Sequence, residues 1–206
     1  PFIKVGAQSS RRARVRCQVR SDITISNVQS HMHARGVGYT ASLSDGVPFY
    51  ENDRWEGVPV KAFEGGFNVS AGEVLDYTCE YNNAGQTDIF QGPRSTDEMC
   101  MLIGSYYPAD PLTARCAPEP AGSGDIPANL GGEWVGDGTA TCAETMTCAQ
   151  AAFASSFNDL QGCVADADPA VSKEVSDFIR CTILSFSSGQ SPMTACSAEI
   201  AACSAK

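Results

Sequence analysis

Histidine is scarce in this chain: its 206 residues hold two, His31 and His33. A Ser/His/Asp triad would have to draw on one of that pair, and a set of Cys/His zinc sites would run out of imidazoles. The ten cysteines include no C-x-x-C, the spacing most often used for zinc and for thioredoxin-like redox pairs. No apolar run approaches the ~20 residues that a membrane-spanning helix needs. The glycines of Gly57–Gly72, "GVPVKAFEGGFNVSAG", lack the strand–helix setting of a phosphate-cradling loop. Positive charge is also in the minority, with 14 Lys and Arg against 24 Asp and Glu and a net charge of −10. Such a surface repels nucleic acid and anionic membranes. The basic run "RRARVR", Arg11–Arg16, reads as a solvated strand edge whose cations discourage edge pairing.

Cysteine itself is abundant, and the even count points to disulfides formed in an oxidising compartment. The chain opens on "PFIKVGAQ", with no initiator Met and no charged and apolar leader, so an export signal is expected to lie outside it. An extracytoplasmic protein is expected: secreted, periplasmic or at the cell surface.

Composition changes near residue 117. Before it, short β-branched and aromatic segments are cut by Gly, Asn and Asp: "RARVRCQV", "DITISNVQSHMH", "VGYTASL", "PVKAF", "EVLDYTCEY" and "MLIGSYY". Several alternate polar with apolar, and "SDGV" at Ser44–Val47 reads as a tight turn. The fold class expected is mainly β, an antiparallel jelly-roll-like β-sandwich over residues 1–118. Residues 119–141 are rich in Gly and Pro and read as a linker, packed down by Trp134. Residues 142–206 turn to Ala, Ser and Cys and read as a small disulfide-bonded α-helical tail. Its first helix would face inward with Met146, Ala149, Phe153 and Phe157. A second would start at Asp168 with Pro169 in its first turn and bury Val171, Val175, Phe178 and Leu184. A third would be capped by Ser191. Three short helices bury little, so Cys142, Cys148, Cys163, Cys181, Cys196 and Cys203 are expected to staple them, in one of fifteen pairings.

The chemistry concentrates in "SHMHARGVGYTA", Ser30–Ala41. Residues i and i+2 of a strand share a face, so His31 and His33 can present two imidazoles side by side for copper or zinc. Met99 in "STDEMC", Ser95–Cys100, sits among polar residues and directly before a cysteine. A thioether added to two imidazoles favours copper, above all Cu(I), because sulfur is the soft ligand.

The motifs "HMHARGVGYTA", "LDYTCEYNN" and "TDEMCMLIGSYYP", taken in that order, resemble the C-terminal domain of the copper type II, ascorbate-dependent monooxygenases. This is the family of peptidylglycine alpha-hydroxylating monooxygenase and dopamine beta-monooxygenase. The resemblance runs from about Cys17 to Cys116. It implies that His31, His33 and Met99 are the three protein ligands of a catalytic copper, cycling between Cu(I) and Cu(II). It implies one disulfide between Cys79 and Cys100, beside the methionine, and another between Cys17 and Cys116, closing the domain. It also implies dioxygen activation and hydroxylation of a C–H bond, with ascorbate or a similar reductant. Gln29, Tyr81 and Asp97 are candidates to orient the ligands from outside the metal's immediate shell.

Two departures stand out. The full family enzyme holds another copper on three histidines of a preceding domain, and this chain has no histidine to spare. That N-terminal copper domain, or another electron donor, is therefore an expected partner. The peptide-amidating members also grip a substrate carboxylate at positions that match Gln29, Met101 and Ile103 here, none of which can form a bidentate salt bridge. Gln29 looks closer to the amine-hydroxylating branch. The helical tail lies outside the resemblance and is a candidate docking surface for a protein partner, a cap or a stability element. The competing reading is a single-copper or metal-free structural or binding subunit of an extracellular assembly, without turnover.

Overall fold

The computed structural model describes residues 2–117 and 130–206. The fold is mainly β with antiparallel sheets and a C-terminal helical region, and it divides into two compact units, Ile3–Gly132 and Glu133–Lys206 together with Phe2. Residue 118 of the expected sandwich and residues 119–129 of the expected linker lie outside the described residues.

In the first unit, β1 (Lys4–Val5) pairs with β8 (Ile89–Phe90). One sheet runs β2 (Ser9–Gln18), β7 (Val74–Asn83), β4 (Gly36–Ser42), β5 (Pro48–Asn52). The other runs β6 (Lys61–Val69), β3 (Ile23–His31), β9 (Met101–Tyr107). Each of these pairings is antiparallel. The period-two pattern explains the strands. In β2, Ala13, Val15 and Cys17 turn inward, while Arg14 turns outward and forms a bidentate pair with Asp76 of β7. The basic run is thus the outer face of a paired strand. Ile25 and Val28 of β3 meet Tyr39 and Ala41 of β4 and Leu75 and Cys79 of β7 in a common core, which joins the two sheets. The expected turn at Ser44–Val47 closes the β4–β5 hairpin: Gly46 takes a positive φ of 76° and donates to the Leu43 carbonyl. A short helix, α1 (Pro111–Ala114), is capped by Asp110, and Cys17–Cys116 and Cys79–Cys100 are both bonded.

A bulge in β3 decides which side chains face where. The register against both β6 and β9 shifts between Ile25 and Asn27. Ile23 and Ile25 face the core before it, and Val28 and Ser30 face the core after it. One extra residue reverses the alternation. Without it, Gln29 and His31 would follow Ile23 and Ile25 inward; with it, both lie half-buried on the opposite face.

In the second unit, β10 (Glu133–Val135) carries Trp134, which is buried, stacks edge-on with Phe2 and lies under the Arg180 guanidinium. Five helices follow: α2 (Cys142–Phe153), α3 (Phe157–Ala165), α4 (Ser172–Ser187), α5 (Pro192–Ala195) and α6 (Ser197–Ser204). The single first helix expected from the sequence is in fact two. The chain breaks at Ala154–Ser156, where Ser156 caps α3 by accepting from the Asp159 N–H. The buried face of α2 is therefore Cys142, Thr145, Ala149 and Ala152, and Phe157 is exposed. Asp168 and Pro169 open a 3-10 turn, Pro169–Val171, that leads into α4. Leu184 is only half-buried, and Ile179 and Thr182 complete the inner face instead. Ser191 occupies the cap position of α5 without a capping bond. The disulfides are Cys142–Cys203, Cys148–Cys163 and Cys181–Cys196. No helix among the described residues is long and apolar enough to cross a membrane.

Candidate metal centre

His31 is the last residue of β3, and His33 lies just beyond the strand end rather than within it. The alternation nevertheless persists. Met32 between them is a buried core residue, at 1% exposure, and the two imidazoles share the outer side. Their ring centroids are 5.2 Å apart with an interplanar angle of 89°. Immediately after them the chain turns, with the Gly36 N–H donating to the His33 carbonyl at 2.9 Å.

The segment Asp97–Met101 runs alongside. His31 sits opposite Met101 in the β3–β9 register, and His33 Nδ1 bonds the Asp97 carbonyl oxygen at 2.9 Å. A carbonyl only accepts, so Nδ1 carries the proton and Nε2 keeps its lone pair for a metal. Burial alternates along the segment. Glu98 and Cys100 are buried, whereas Asp97 and Met99 are half-buried and Met101 is exposed. Met99 is half-buried, as both histidines are. Its backbone is fixed from beneath: the Tyr81 hydroxyl donates to the Met99 carbonyl at 2.7 Å, and the Cys79–Cys100 disulfide ties the next residue to β7.

The strut of the site is Glu98, which the sequence reading did not single out. Its side chain is fully buried. Its carboxylate accepts from the His33 N–H at 3.0 Å and the Arg35 N–H at 2.8 Å, with the Arg35 guanidinium 3.8 Å away. It thus clamps the turn that follows the histidines. A sequence offers little signal for it, because Asp and Glu are almost always solvated and a buried one is known only by its partners.

Electrostatics suit a metal. Burial, helped by the neighbouring His33, pushes the His31 pKa down and favours the neutral imidazole that ligates. Asp97 is held below its usual value by its hydrogen bond to Arg94. Burial raises the Glu98 carboxyl, although the Arg35 and His33 N–H groups pull the other way. Two imidazoles with the thioether of Met99 would make a donor set that fits copper better than zinc.

Of the three orienting candidates, Tyr81 acts on the Met99 carbonyl and Asp97 reaches His33 through its own backbone carbonyl, its carboxylate being engaged with Arg94. Gln29 sits two residues before His31, opposite Ile103 in the β3–β9 register and on the His31 side of β3. Met101 and Ile103 are exposed on the same face, at 42% and 36%.

Comparison with known proteins bears on the same stretch. A family model for the C-terminal domain of the copper type II ascorbate-dependent monooxygenases matches residues 7–120. No curated protein matches the chain.

Proposed function

The chain belongs to the copper type II, ascorbate-dependent monooxygenase family through the C-terminal domain at residues 7–120, and from that premise we propose that it is the copper domain of a secreted monooxygenase. His31, His33 and Met99 would hold the metal. When bound, copper supplies dioxygen activation for hydroxylation of a C–H bond, with ascorbate as the family's reductant. The chain's own residues prepare that site. Asp97 O fixes the His33 tautomer, Glu98 fixes the turn behind it, and Tyr81 with the Cys79–Cys100 bond fixes the Met99 backbone.

The observation that carries this reading is the pair of imidazoles, 5.2 Å apart, with His33 bonded to the Asp97 carbonyl of the segment that carries Met99. Both histidines are used in it, so the second electron must come from a donor outside residues 1–206, another copper domain or a reductant protein. The same shortage supports a second reading, a copper-holding or metal-free subunit without turnover. For the substrate, Gln29, Met101 and Ile103 present an amide and two apolar side chains and no cation, which suits an uncharged or amine substrate better than a carboxylate. Five disulfides support an extracytoplasmic home.

Copper content and affinity, measured under Cu(I) conditions on wild type and Met99→Ala, test the assignment. One copper per chain is expected. Loss of the thioether should weaken binding by more than the ~10–100-fold typical of a lost outer contact. Absence of copper, or binding indifferent to His31, His33 and Met99, refutes it.

A further inference from the structure

Far from the metal face, the end of β6 runs into "NVS", Asn68–Ser70, the one match in the chain to the N-x-[ST] signal for N-linked glycosylation. A bulky glycan also needs a surface that can carry it, and the fold provides one. Alternation buries the middle residue, Val69, at 2% exposure and leaves Asn68 and Ser70 exposed. Asn68 lies opposite Thr24 of β3, whose hydroxyl donates to the Asn68 amide oxygen at 2.9 Å. The amide oxygen is thus held to the sheet, while Nδ2, the atom a glycan uses, makes no hydrogen bond among the described residues. β6 is an edge strand paired with β3 alone, so no further described strand crowds its outer side. Tyr107 of β9 lies opposite Thr24 on the same cross-strand row and is exposed, and its hydroxyl lies 3.4 Å from where a Cβ on Gly66 would be. Its ring therefore reaches across Thr24 toward β6 and offers apolar surface that a first sugar can cover.

We propose that Asn68 is an N-glycosylation site. In the transfer, Nδ2 bonds to C1 of the N-acetylglucosamine of a lipid-diphosphate-linked oligosaccharide. The bond from C1 to the diphosphate breaks, the lipid diphosphate leaves with the bonding pair, and the Nδ2 proton passes to a base of the transferase. The Ser70 hydroxyl is the second element of the signal that the transferase reads. The inference rests on the secreted part of the function proposed above and not on its copper. From Thr24 to His31 is seven residues along β3, ~23 Å at ~3.3 Å per residue. The glycan would therefore cover the end of the sheet remote from the imidazoles and leave the metal end open to a partner.

The test is secretion of the full chain from a eukaryotic cell behind a cleavable signal, then digestion with peptide:N-glycosidase and peptide mass spectrometry. One step to lower mass is expected, leaving an aspartate at position 68. Asn68→Gln and Ser70→Ala should each abolish the step while the five disulfides still form, since both side chains are exposed. Secreted, disulfide-bonded wild type without a glycan overturns the site, as does a step that survives in Asn68→Gln. If Asn68→Gln does not fold, Ser70→Ala decides: an undiminished step overturns the assignment. A wild-type chain that is retained in reduced form refutes the secreted reading, and the glycan with it.

Discussion

Replacing Glu98 by glutamine should reveal how much of the metal face is built by a residue that touches no metal. The carboxylate accepts two backbone N–H groups, from His33 at 3.0 Å and Arg35 at 2.8 Å. Bonds to a charged acceptor contribute ~1.5–3 kcal/mol each, and neutral ones ~1 kcal/mol. Glutamine keeps the shape and one acceptor oxygen, but it turns an amide NH2 toward the other backbone donor. One charge-assisted bond is lost and the other is demoted, a gross loss of ~3 kcal/mol. Against this, the amide avoids the burial penalty that pushes the Glu98 carboxyl above its usual value. That relief offsets part of the gross loss. The net cost is ~2 kcal/mol, a melting shift of ~4–8 °C for a protein of this size. Denaturant unfolding followed by fluorescence gives the number. Copper titration of the same variant should show affinity lower by ~10–100-fold, because the turn carrying His33 loses its clamp. A Glu98→Gln protein as stable as wild type to within ~0.5 kcal/mol, with copper affinity unchanged, would refute the strut.

Three further perturbations have definite outcomes. A Cβ on Gly104 would collide with the Asn27 carbonyl oxygen and lie 3.3 Å from Val28 Cα, so Gly104→Ala should force β9 away from the β3 bulge and cost more than ~2 kcal/mol, measured by chemical unfolding. Thr141 and Glu144 form a reciprocal capping box at the start of α2, so Thr141→Ala should cost ~1 kcal/mol. The Thr141 backbone N–H, then its hydroxyl, hold the Glu144 carboxyl below its ordinary 4.5. Because the folded value is depressed, that contribution is complete above 4.5 and is lost as the pH falls through the folded value; an NMR titration should place Glu144 below 4.5 in wild type and nearer to it in Thr141→Ala. Cys142–Cys203 spans 61 residues of sequence; replacing both by Ser should cost ~2–4 kcal/mol, read from helical circular dichroism on heating.

Periodicity carried much of the fold into view, and its failures are local. β2 alternates cleanly over its second half, so Arg14 faces out and Val15 in as their spacing requires. β5, "PFYEN", escaped notice because five residues beginning with Pro and ending with Asn look like loop. The α2–α3 break escaped because Ala154, Ser155 and Ser156 do not forbid a helix. Only the Ser156–Asp159 capping bond and the Cys148–Cys163 disulfide show that the chain turns there. Cysteine pairing in the second unit was open for a related reason, since fifteen connectivities satisfy the same spacing and only packing selects one.

The candidate centre divides along the same physical line. His31, His33 and Met99 were visible because ligand chemistry is written in residue type: two imidazoles and an unusually placed thioether stand out in any context. What turns the two histidines toward one side was invisible, because it is made of relations between distant residues. The decisive relation is the β3 bulge, which reverses the strand's facing between Ile25 and Asn27. A strict alternation from Ile23 would have buried His31 in the core beside Met32's neighbours, and no inspection of "DITISNVQSHMH" alone distinguishes the two registers. The bulge is tolerable because Gly104 lets β9 approach the Asn27 carbonyl, and the turn after His33 is tolerable because Glu98 satisfies its two N–H groups. The candidate donors are thus three residues readable by type, and the two that shape the backbone around the histidines, Gly104 and Glu98, act through conformation and are of types common everywhere else in the chain.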